Sequence, residues 1–375
     1  MRIAYMIDHL RHHGTQVMLM NLAAGLAQRG FDQRVFCLNN AVETRVARRL
    51  ESSQVDLTVI GKLELLRLVG LVRLLKELRL WRPTVVQTFL TVADTIGRPL
   101  ARMADVPIVV SSIRARNVQK HWWHFALDRL TIRWVDRVIF NSHTVVPFAQ
   151  AREGVRADQI ICIPNGVHVD AGALSRDVAA AKRSEMGLEP STRVIGTVGR
   201  LNPQKGHRFL LDAFANVVPV VPESVLWIIG DGPERCSLEA LAKQLGLEGK
   251  VQFLGERADV LALLPCMDLY VHASLWEGMP NAVMEAMAAA RPVVATRVDG
   301  TTELITDGQT GWLVEPCSAR ALVDRMLHVL GNEDEARQVG AAARELMAAQ
   351  YGLERMVSAY EELYRGLAAA EGVPL

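Results

Sequence analysis

The sequence contains little cysteine, and its cysteines are not paired. Five occur in 375 residues, and no two stand in a Cys-x-x-Cys spacing. This scatter disfavours a structural zinc site and a disulfide framework, and it indicates a reducing, cytoplasmic environment. A Gly-x-Gly-x-x-Gly fingerprint of dinucleotide binding is also missing, so the sequence offers no direct sign of that cofactor class.

Long apolar runs are missing as well. No run of about 18 apolar residues without a charge occurs, so no transmembrane helix is predicted. The first residues, MRIAYMIDHL, lead from a strand-like run into a polar turn and lack the features of a signal peptide. Apolar residues still make up 50% of the chain, enough for the two domain cores that its length suggests.

The net charge of +1 is the sum of a basic half and an acidic half of the chain. Residues 1–176 hold 24 Lys and Arg against 14 Asp and Glu, a net charge of +10, whereas the remainder has a net charge of −9. A basic half favours anionic partners such as phosphates, acidic lipid head groups or the acidic half itself. A solvated basic face is the alternative interpretation.

The most informative stretch runs from residue 268 to 296. LYVHA is strand-like, SLWEGMP contains loop residues, AVMEAMAAA is rich in helix formers, and VVA is again strand-like. A strand that enters a helix through such a loop is half of a βαβ unit, whose ligands lie at the carboxyl ends of the strands. Three more strands of this half are predicted to end at the same edge, in loops at 200–207, 231–233 and 255–259.

Charged side chains of both signs are expected at this edge. Glu277 lies in the loop, and Glu285 follows in the helix. Their carboxylates suit hydroxyl donors, and the backbone N–H groups of Gly278, Met279 and Asn281 at the predicted helix start suit phosphate or the hydroxyls of a sugar. Arg200 and Lys205 add positive charge, a combination that suits a diphosphate flanked by two sugars. The alternative is that both acids are ordinary surface residues.

Several motifs together resemble one known family. SLWEGMPNAVMEAMA contains the spacing Glu277-x7-Glu285, and GRLNPQKG, GDGP and GERADV precede it in order. In the first half, HHGTQVMLMNLAAGLAQRG has Gln16 where an acid is common, and VVQTF has Gln87 where His is frequent. With IPNGV closing that half, the sequence resembles the retaining glycosyltransferases of family 4, also called group 1, over nearly its whole length.

The resemblance implies the α/β GT-B fold, with two facing Rossmann-like domains, parallel sheets and a deep interdomain cleft. Residues 1–170 would form the acceptor-binding domain, and a C-terminal helix within 353–375 would pack back on it. Residues 171–192, rich in small and charged residues, are predicted to be a linker. Residues 193–352 would bind the nucleotide sugar.

The resemblance also implies roles for individual residues. Arg200, Lys205 and Glu277 would be catalytic, the two cations by neutralising the leaving diphosphate. Donor-binding residues would be Gly14, Gly199, Arg200, Lys205, Gly230, Arg257, Glu277, Gly278, Met279, Pro280, Asn281 and Glu285. Arg114, His121 and His124 are candidates for acceptor binding, although the Trp and His cluster at 121–124 could equally be core. No Asp-x-Asp occurs, so we expect no metal and no other cofactor.

The expected function is transfer of a sugar from a nucleotide-diphosphate sugar to a lipid-linked or growing saccharide in cell-surface polysaccharide synthesis. The alternatives are an inactive homologue that binds sugar nucleotides or acts as a scaffold subunit, and a phosphorylase or epimerase of the same fold. The basic half and the basic, apolar stretch 62–82 predict contact with an anionic membrane surface. A soluble acceptor is the competing account, and no nucleic-acid partner is expected.

Overall fold

The computed structural model describes residues 1–11, 13–116, 120–169 and 176–373. The chain divides into two compact units. Unit 1 comprises Met1–Gly166 and Leu353–Leu375, and unit 2 comprises Val167–Gly352. The second unit is therefore inserted, along the chain, into the first.

Unit 1 contains a parallel sheet whose strand order is β3-β2-β1-β4-β5-β6-β7. Its strands are β1 Arg2–Ile7, β2 Asp32–Cys37, β3 Asp56–Val59, β4 Val85–Phe89, β5 Ile108–Ile113, β6 Arg137–Phe140 and β7 Ile160–Cys162. Its helices are α1 Gly14–Gln28, α2 Thr44–Ser52, α3 Lys62–Leu66, α4 Val69–Trp81, α5 Thr91–Met103, α6 Trp122–Thr131, α7 Val146–Glu153 and α16 Leu353–Ala370.

Unit 2 contains a second parallel sheet, with the order β10-β9-β8-β11-β12-β13. Its strands are β8 Arg193–Val198, β9 Ser224–Ile229, β10 Val251–Gly255, β11 Leu269–His272, β12 Val293–Thr296 and β13 Trp312–Val314. Its helices are α8 Arg176–Glu185, α9 His207–Val217, α10 Arg235–Gln244, α11 Val260–Leu263, α12 Asn281–Ala288, α13 Thr301–Leu304, α14 Ala319–Gly331 and α15 Glu333–Gln350.

The central strands of both sheets are buried on both faces. Residues 3–7 of β1 and all of β11 are buried, which is why their sequences are apolar runs rather than alternating patterns. The predicted parallel sheets are confirmed. In the described ranges, no helix combines the length and the apolar content needed to cross a bilayer.

Helix α16 completes the core of unit 1. The side chains of Val357, Tyr360 and Tyr364 are fully buried in the same cluster as β1. At its edge, the Arg29 guanidinium contacts the carboxylates of Glu354 and Glu361, each at 2.7 Å. The last segment of the chain is thus an integral part of the unit that begins at residue 1.

The predicted linker at 171–192 differs from what the structure shows. Residues 170–175 lie outside the described residues, but α8 follows within the predicted segment and belongs to unit 2. Arg183 donates to the carbonyl of Cys266 at 2.6 Å, and Lys182 pairs with Asp259 at 2.8 Å. Alanine, lysine and glutamate are strong helix formers, so the composition taken for a linker is that of a solvent-facing helix.

Candidate active site

The candidate site lies at the carboxyl edge of the unit 2 sheet. The loops after β8, β9, β11 and β12 meet there through their backbones. Gly199 N–H donates to the carbonyl of Ile229 at 2.9 Å, and Leu275 N–H donates to that of Gln204 at 2.8 Å. The sheet thus brings together segments that are far apart in sequence.

Two glycines let these loops approach each other. A Cβ on Gly230, whose φ is +135°, would lie 2.0 Å from the Gly199 carbonyl oxygen. A Cβ on Gly300 would lie 1.8 Å from the carbonyl oxygen of Gly278. Both contacts are with backbone, which cannot rotate away. Gly199, Gly230 and Gly278 were predicted to bind the donor, and for Gly230 the packing of two loops is itself a sufficient reason for glycine.

Glu277 forms the centre of the site. Its Oε1 accepts from Lys205 Nζ at 2.5 Å and lies 3.0 Å from His272 Nε2. Its backbone N–H donates to Asp299 Oδ2 at 3.2 Å. Because both side-chain contacts use Oε1, the geometry leaves Oε2 as the oxygen that a ligand hydroxyl can approach.

The charges of this centre are set by burial and by the Lys205 ammonium. Burial opposes ionisation of Glu277, but Lys205 and the hydrogen bond from His272 together hold the pKa of Glu277 well below its usual range. Burial lowers the pKa of His272. His272 is therefore neutral near pH 7, and it donates from Nε2 to a carboxylate that stays ionised.

A second buried histidine begins helix α9. Burial, with help from the nearby Lys205 charge, lowers the pKa of His207 to about 3. Its ring is 2% exposed, so it supports the Lys205 loop as a neutral group. Neither His207 nor His272 was singled out from the sequence. The position of His272, five residues before Glu277 at a strand end, is the one signal that could have marked it.

Glu285 stands apart from these pairs. It lies in the second turn of α12, and its side chain is partly exposed. Desolvation by the surrounding protein is the one cause that raises the pKa of its carboxyl group, to about 7. No ion pair to it occurs among the described residues. Hydroxyl donors from a bound ligand would favour its ionised form, so ligand binding and loss of this proton are coupled.

This pKa predicts a specific pH dependence of stability. From pH 4.5, the ordinary pKa, to about pH 7, the folded protein keeps a proton on Glu285 that the unfolded chain has lost. Glu285 therefore lowers stability as the pH rises through this window. Glu285→Gln is expected to raise the free energy of unfolding at pH 8 by about 1–2 kcal/mol, allowing for partial exposure of the carboxylate.

Urea unfolding of both proteins at pH 4 and pH 8 checks this prediction. The gain is expected at pH 8 and not at pH 4, where the carboxyl is protonated in folded and unfolded states alike. Glu239→Gln, at an exposed glutamate of α10, is the control and is expected to show no such gain. Equal stability of the Glu285→Gln variant and the native protein at pH 8 would contradict the raised pKa.

The remaining predicted donor residues of unit 2 lie in loops at the same edge of the sheet. Arg200 is exposed at the start of the β8 loop, while Met279 and Pro280 are buried just before α12, which begins at Asn281. The Arg257 guanidinium is held by both carboxylate oxygens of Asp259, at 2.8 and 2.7 Å. Its side chain is therefore engaged within unit 2, and its backbone is the part that remains for a ligand.

The predicted residues of unit 1 have separate surroundings. Gly14 is exposed and is the first residue of α1, and its role toward the donor stays a prediction. Arg114 donates to Tyr360 Oη at 3.2 Å and also contacts Asn165, and burial lowers its pKa. These contacts tie β5 to α16, which explains an arginine here without any acceptor.

The cluster at 121–124 lies on the surface of unit 1. Trp122 is 79% exposed and Trp123 45%, and the Trp123 ring stacks on His124 with centroids 3.5 Å apart. The structure thus places this cluster, with His121, outside the core. Lys120 is different, because its ammonium is buried between Asp128 at 2.8 Å and Glu153 at 3.0 Å. It is therefore not available to an anionic partner.

The fold is shared with known structures. HepE of Anabaena, solved with UDP and glucose, superposes with a TM-score of 0.87 and 22% identity, covering 98% of this chain and 100% of that one. At this identity the likeness shows the fold alone, and it confirms a two-domain α/β protein of the GT-B type.

Sequence comparisons then identify the family. Residues 179–346 match the glycosyl transferases group 1 model, and residues 12–171 match glycosyltransferase family 4. The chain belongs to the group 1 glycosyltransferases, which confirms the family that the motifs resemble, and retention of configuration stays a prediction.

Two curated relatives illustrate the range of this family. The N-acetyl-alpha-D-glucosaminyl L-malate synthase of Bacillus anthracis is 34% identical over 64% of this chain. The match covers 61% of that relative, less than two thirds of its length. The UDP-Gal:alpha-D-GlcNAc-diphosphoundecaprenol alpha-1,3-galactosyltransferase of Escherichia coli is 26% identical, over 69% of this chain and 70% of that protein.

Proposed function

We propose that this protein transfers a hexose from a nucleotide-diphosphate sugar to a saccharide acceptor, with retention of configuration. The observation that carries the proposal is the partly buried Lys205–Glu277 ion pair at the carboxyl edge of the sheet, with Glu285 on the following helix. The cation suits the diphosphate of such a donor, and the carboxylates suit the hydroxyls of its sugars. HepE, with UDP and glucose bound, supports this class of ligand through the shared fold.

The reaction requires stabilisation of a leaving nucleoside diphosphate. Lys205 and the exposed Arg200 supply fixed positive charge where the negative charge on the leaving group increases in the transition state. Glu277 Oε2 and the N–H groups after Gly278 hold the hydroxyls of the donor sugar. Glu285 accepts from the ribose, and main-chain groups near Leu254 and Arg257 contact the base.

The proposed acceptor is a lipid-linked or growing saccharide of the cell surface, met at the cytoplasmic face of the membrane. The name of the E. coli relative describes a diphosphoundecaprenol-linked acceptor, which supports this class. The positive charge of residues 1–176 suits an anionic lipid diphosphate. A soluble saccharide is the alternative acceptor, to be tested against the lipid-linked one.

Donor hydrolysis tests the proposal directly. The purified protein is incubated with a panel of UDP-, GDP- and ADP-sugars without acceptor, and release of the nucleoside diphosphate is followed. Slow release from one donor is expected, and it should be strongly reduced in Glu277→Gln. Binding of a sugar nucleotide without release, even with lipid-linked acceptors added, would instead identify a binding subunit.

We also expect activity to survive chelation. Among the described residues, no three His, Cys, Asp or Glu side chains are grouped so that they could hold a metal ion, and Arg200 and Lys205 supply the charge that a metal would bring. Turnover in EDTA should therefore stay within about twofold of turnover in magnesium. Loss on chelation that magnesium or manganese restores would refute metal independence.

A further inference from the structure

Unit 1 exposes an unusual density of aliphatic side chains between residues 63 and 72. Five of these ten residues are large aliphatics exposed by 60% or more: Leu63 63%, Leu66 73%, Leu68 63%, Val69 60% and Val72 67%. In the described part of the chain, no window of ten residues elsewhere holds more than three exposed large apolar side chains. We call these five residues the aliphatic surface. Aliphatic side chains concentrated on a solvent-exposed face indicate a binding surface.

The fold holds this surface outward. The left-handed Leu68, with φ of 60°, joins α3 to α4. A Cβ on Gly70 would lie 2.9 Å from the backbone of Glu64, so the two helices touch at this point. The opposite face of α4 is occupied, because Leu74 and Leu78 are fully buried in the core. The aliphatic surface therefore cannot turn inward.

The charges around the aliphatic surface are predominantly positive. Lys62, Arg67 and Lys76 are exposed beside it. The two nearby acids are already paired, since the Glu64 carboxylate lies 3.2 Å from Arg73 and that of Glu77 lies 3.8 Å from Arg34. The charge left without a counter-ion is cationic, which suits a negatively charged surface.

We propose that the aliphatic surface docks on an anionic lipid bilayer, with its leucines and valines among the acyl chains and Lys62, Arg67 and Lys76 at the head groups. Aliphatic side chains ringed by lysine and arginine are typical of segments that lie in a membrane interface. A protein partner is disfavoured because the interface residues that contribute most to binding are enriched in tryptophan, tyrosine and arginine, whereas leucine and valine are under-represented among them. The inference deepens the membrane contact of the proposed function.

Vesicle co-sedimentation tests the docking without any turnover. The protein is mixed with phosphatidylcholine vesicles that contain about 30 mol% phosphatidylglycerol, and a parallel sample receives phosphatidylcholine alone. Sedimentation with the anionic vesicles is expected, and raising the salt from about 0.05 to 0.5 M should weaken it through screening. A protein that stays in the supernatant at low salt would overturn the proposal.

A matched pair of variants locates the docking. Replacing Leu66, Leu68 and Val72 together with serine is expected to reduce the bound fraction at least about tenfold. The control replaces Val220 and Leu261, exposed by 64% and 54% in unit 2, and should bind as the native protein does. Donor hydrolysis should be unchanged in both variants, which shows that they fold.

Two further results would overturn the assignment. One is vesicle binding by the triple serine variant equal to that of the native protein. The other is a dimer in sedimentation velocity without lipid that the triple variant loses, which would make the aliphatic surface an interface between copies. The proposal of membrane docking and the proposal of a lipid-linked acceptor can be refuted separately. Activity on a soluble saccharide alone would refute the lipid-linked acceptor, whereas vesicle binding is measured without any acceptor.

Discussion

Lys205→Ala is expected to lower kcat by about 100-fold, equivalent to about 2.7 kcal/mol of transition-state stabilisation. Two effects combine. The leaving diphosphate loses a partly buried cation, and Glu277 is left with the neutral His272 as its remaining side-chain partner. The pKa of Glu277 then rises, so a larger fraction of its carboxyl group carries a proton, and a protonated oxygen cannot accept from the hydroxyls of the donor sugar as a carboxylate does. Glu277→Gln, which keeps the shape and removes the charge, is expected to lower kcat at least about tenfold.

Steady-state kinetics with the identified donor checks these values, and circular dichroism should show native folding. Arg193→Ala is the control, because Arg193 also belongs to an ion-paired cluster of unit 2, with Glu333 and Asp268. It lies at the other end of β8, so turnover should remain within about twofold. If Lys205→Ala and Glu277→Gln both retain near-native turnover, the ion pair is not at the reaction centre.

Gly300→Ala is expected to destabilise unit 2 strongly, although alanine is a conservative replacement for glycine. The new methyl group would lie 1.8 Å from the carbonyl oxygen of Gly278 and 3.0 Å from the Cα of Met279. Only a shift of the loop before α12 can relieve this overlap, at a cost of about 2–4 kcal/mol in the free energy of unfolding. Nucleotide binding should fall as well, since that loop carries the proposed contacts to the donor sugar.

Gly331→Ala provides the comparison, because nothing lies within 4 Å of its would-be Cβ. Its effect should stay within about 0.5 kcal/mol. The midpoint of urea unfolding and the affinity for the nucleotide sugar are the two measurements. An unchanged midpoint for Gly300→Ala would mean that the two loops do not pack as the structure shows.

The strands were predictable because they are buried on both faces. The runs IAYMI in β1 and LYV in β11 are apolar without interruption, which is the pattern expected of strands in a parallel sheet covered on both faces. Residues 171–192 were misinterpreted because a short, exposed helix and a linker have the same composition. What distinguishes them is the contact of Arg183 with the carbonyl of Cys266, 83 residues away, and no local pattern contains it.

The sequence indicates candidate residues for the site but not the contacts between them. The motifs contain the charged residues Lys205 and Glu277, but the 2.5 Å contact between them joins positions 72 residues apart. Gly300 was missed because its importance depends on the backbone of Gly278, which comes near only when β11 and β12 pair. Arg114 was assigned to an acceptor because a basic side chain after a strand resembles a ligand contact. Its partners Tyr360 and Asn165 become visible only in the folded unit.

The placement of α16 has a consequence for the order in which the protein can fold during synthesis. Unit 2 is one continuous segment whose ends are joined, since Val167 N–H donates to the carbonyl of Tyr351 at 2.9 Å. All of its residues are therefore translated before Tyr360 and Tyr364 of α16. Unit 1 is translated first and yet must wait for Tyr360 and Tyr364 to fill its core. The half of the protein that is made first is thus the half that finishes last, and its incomplete core stays open for as long as unit 2 takes to be translated.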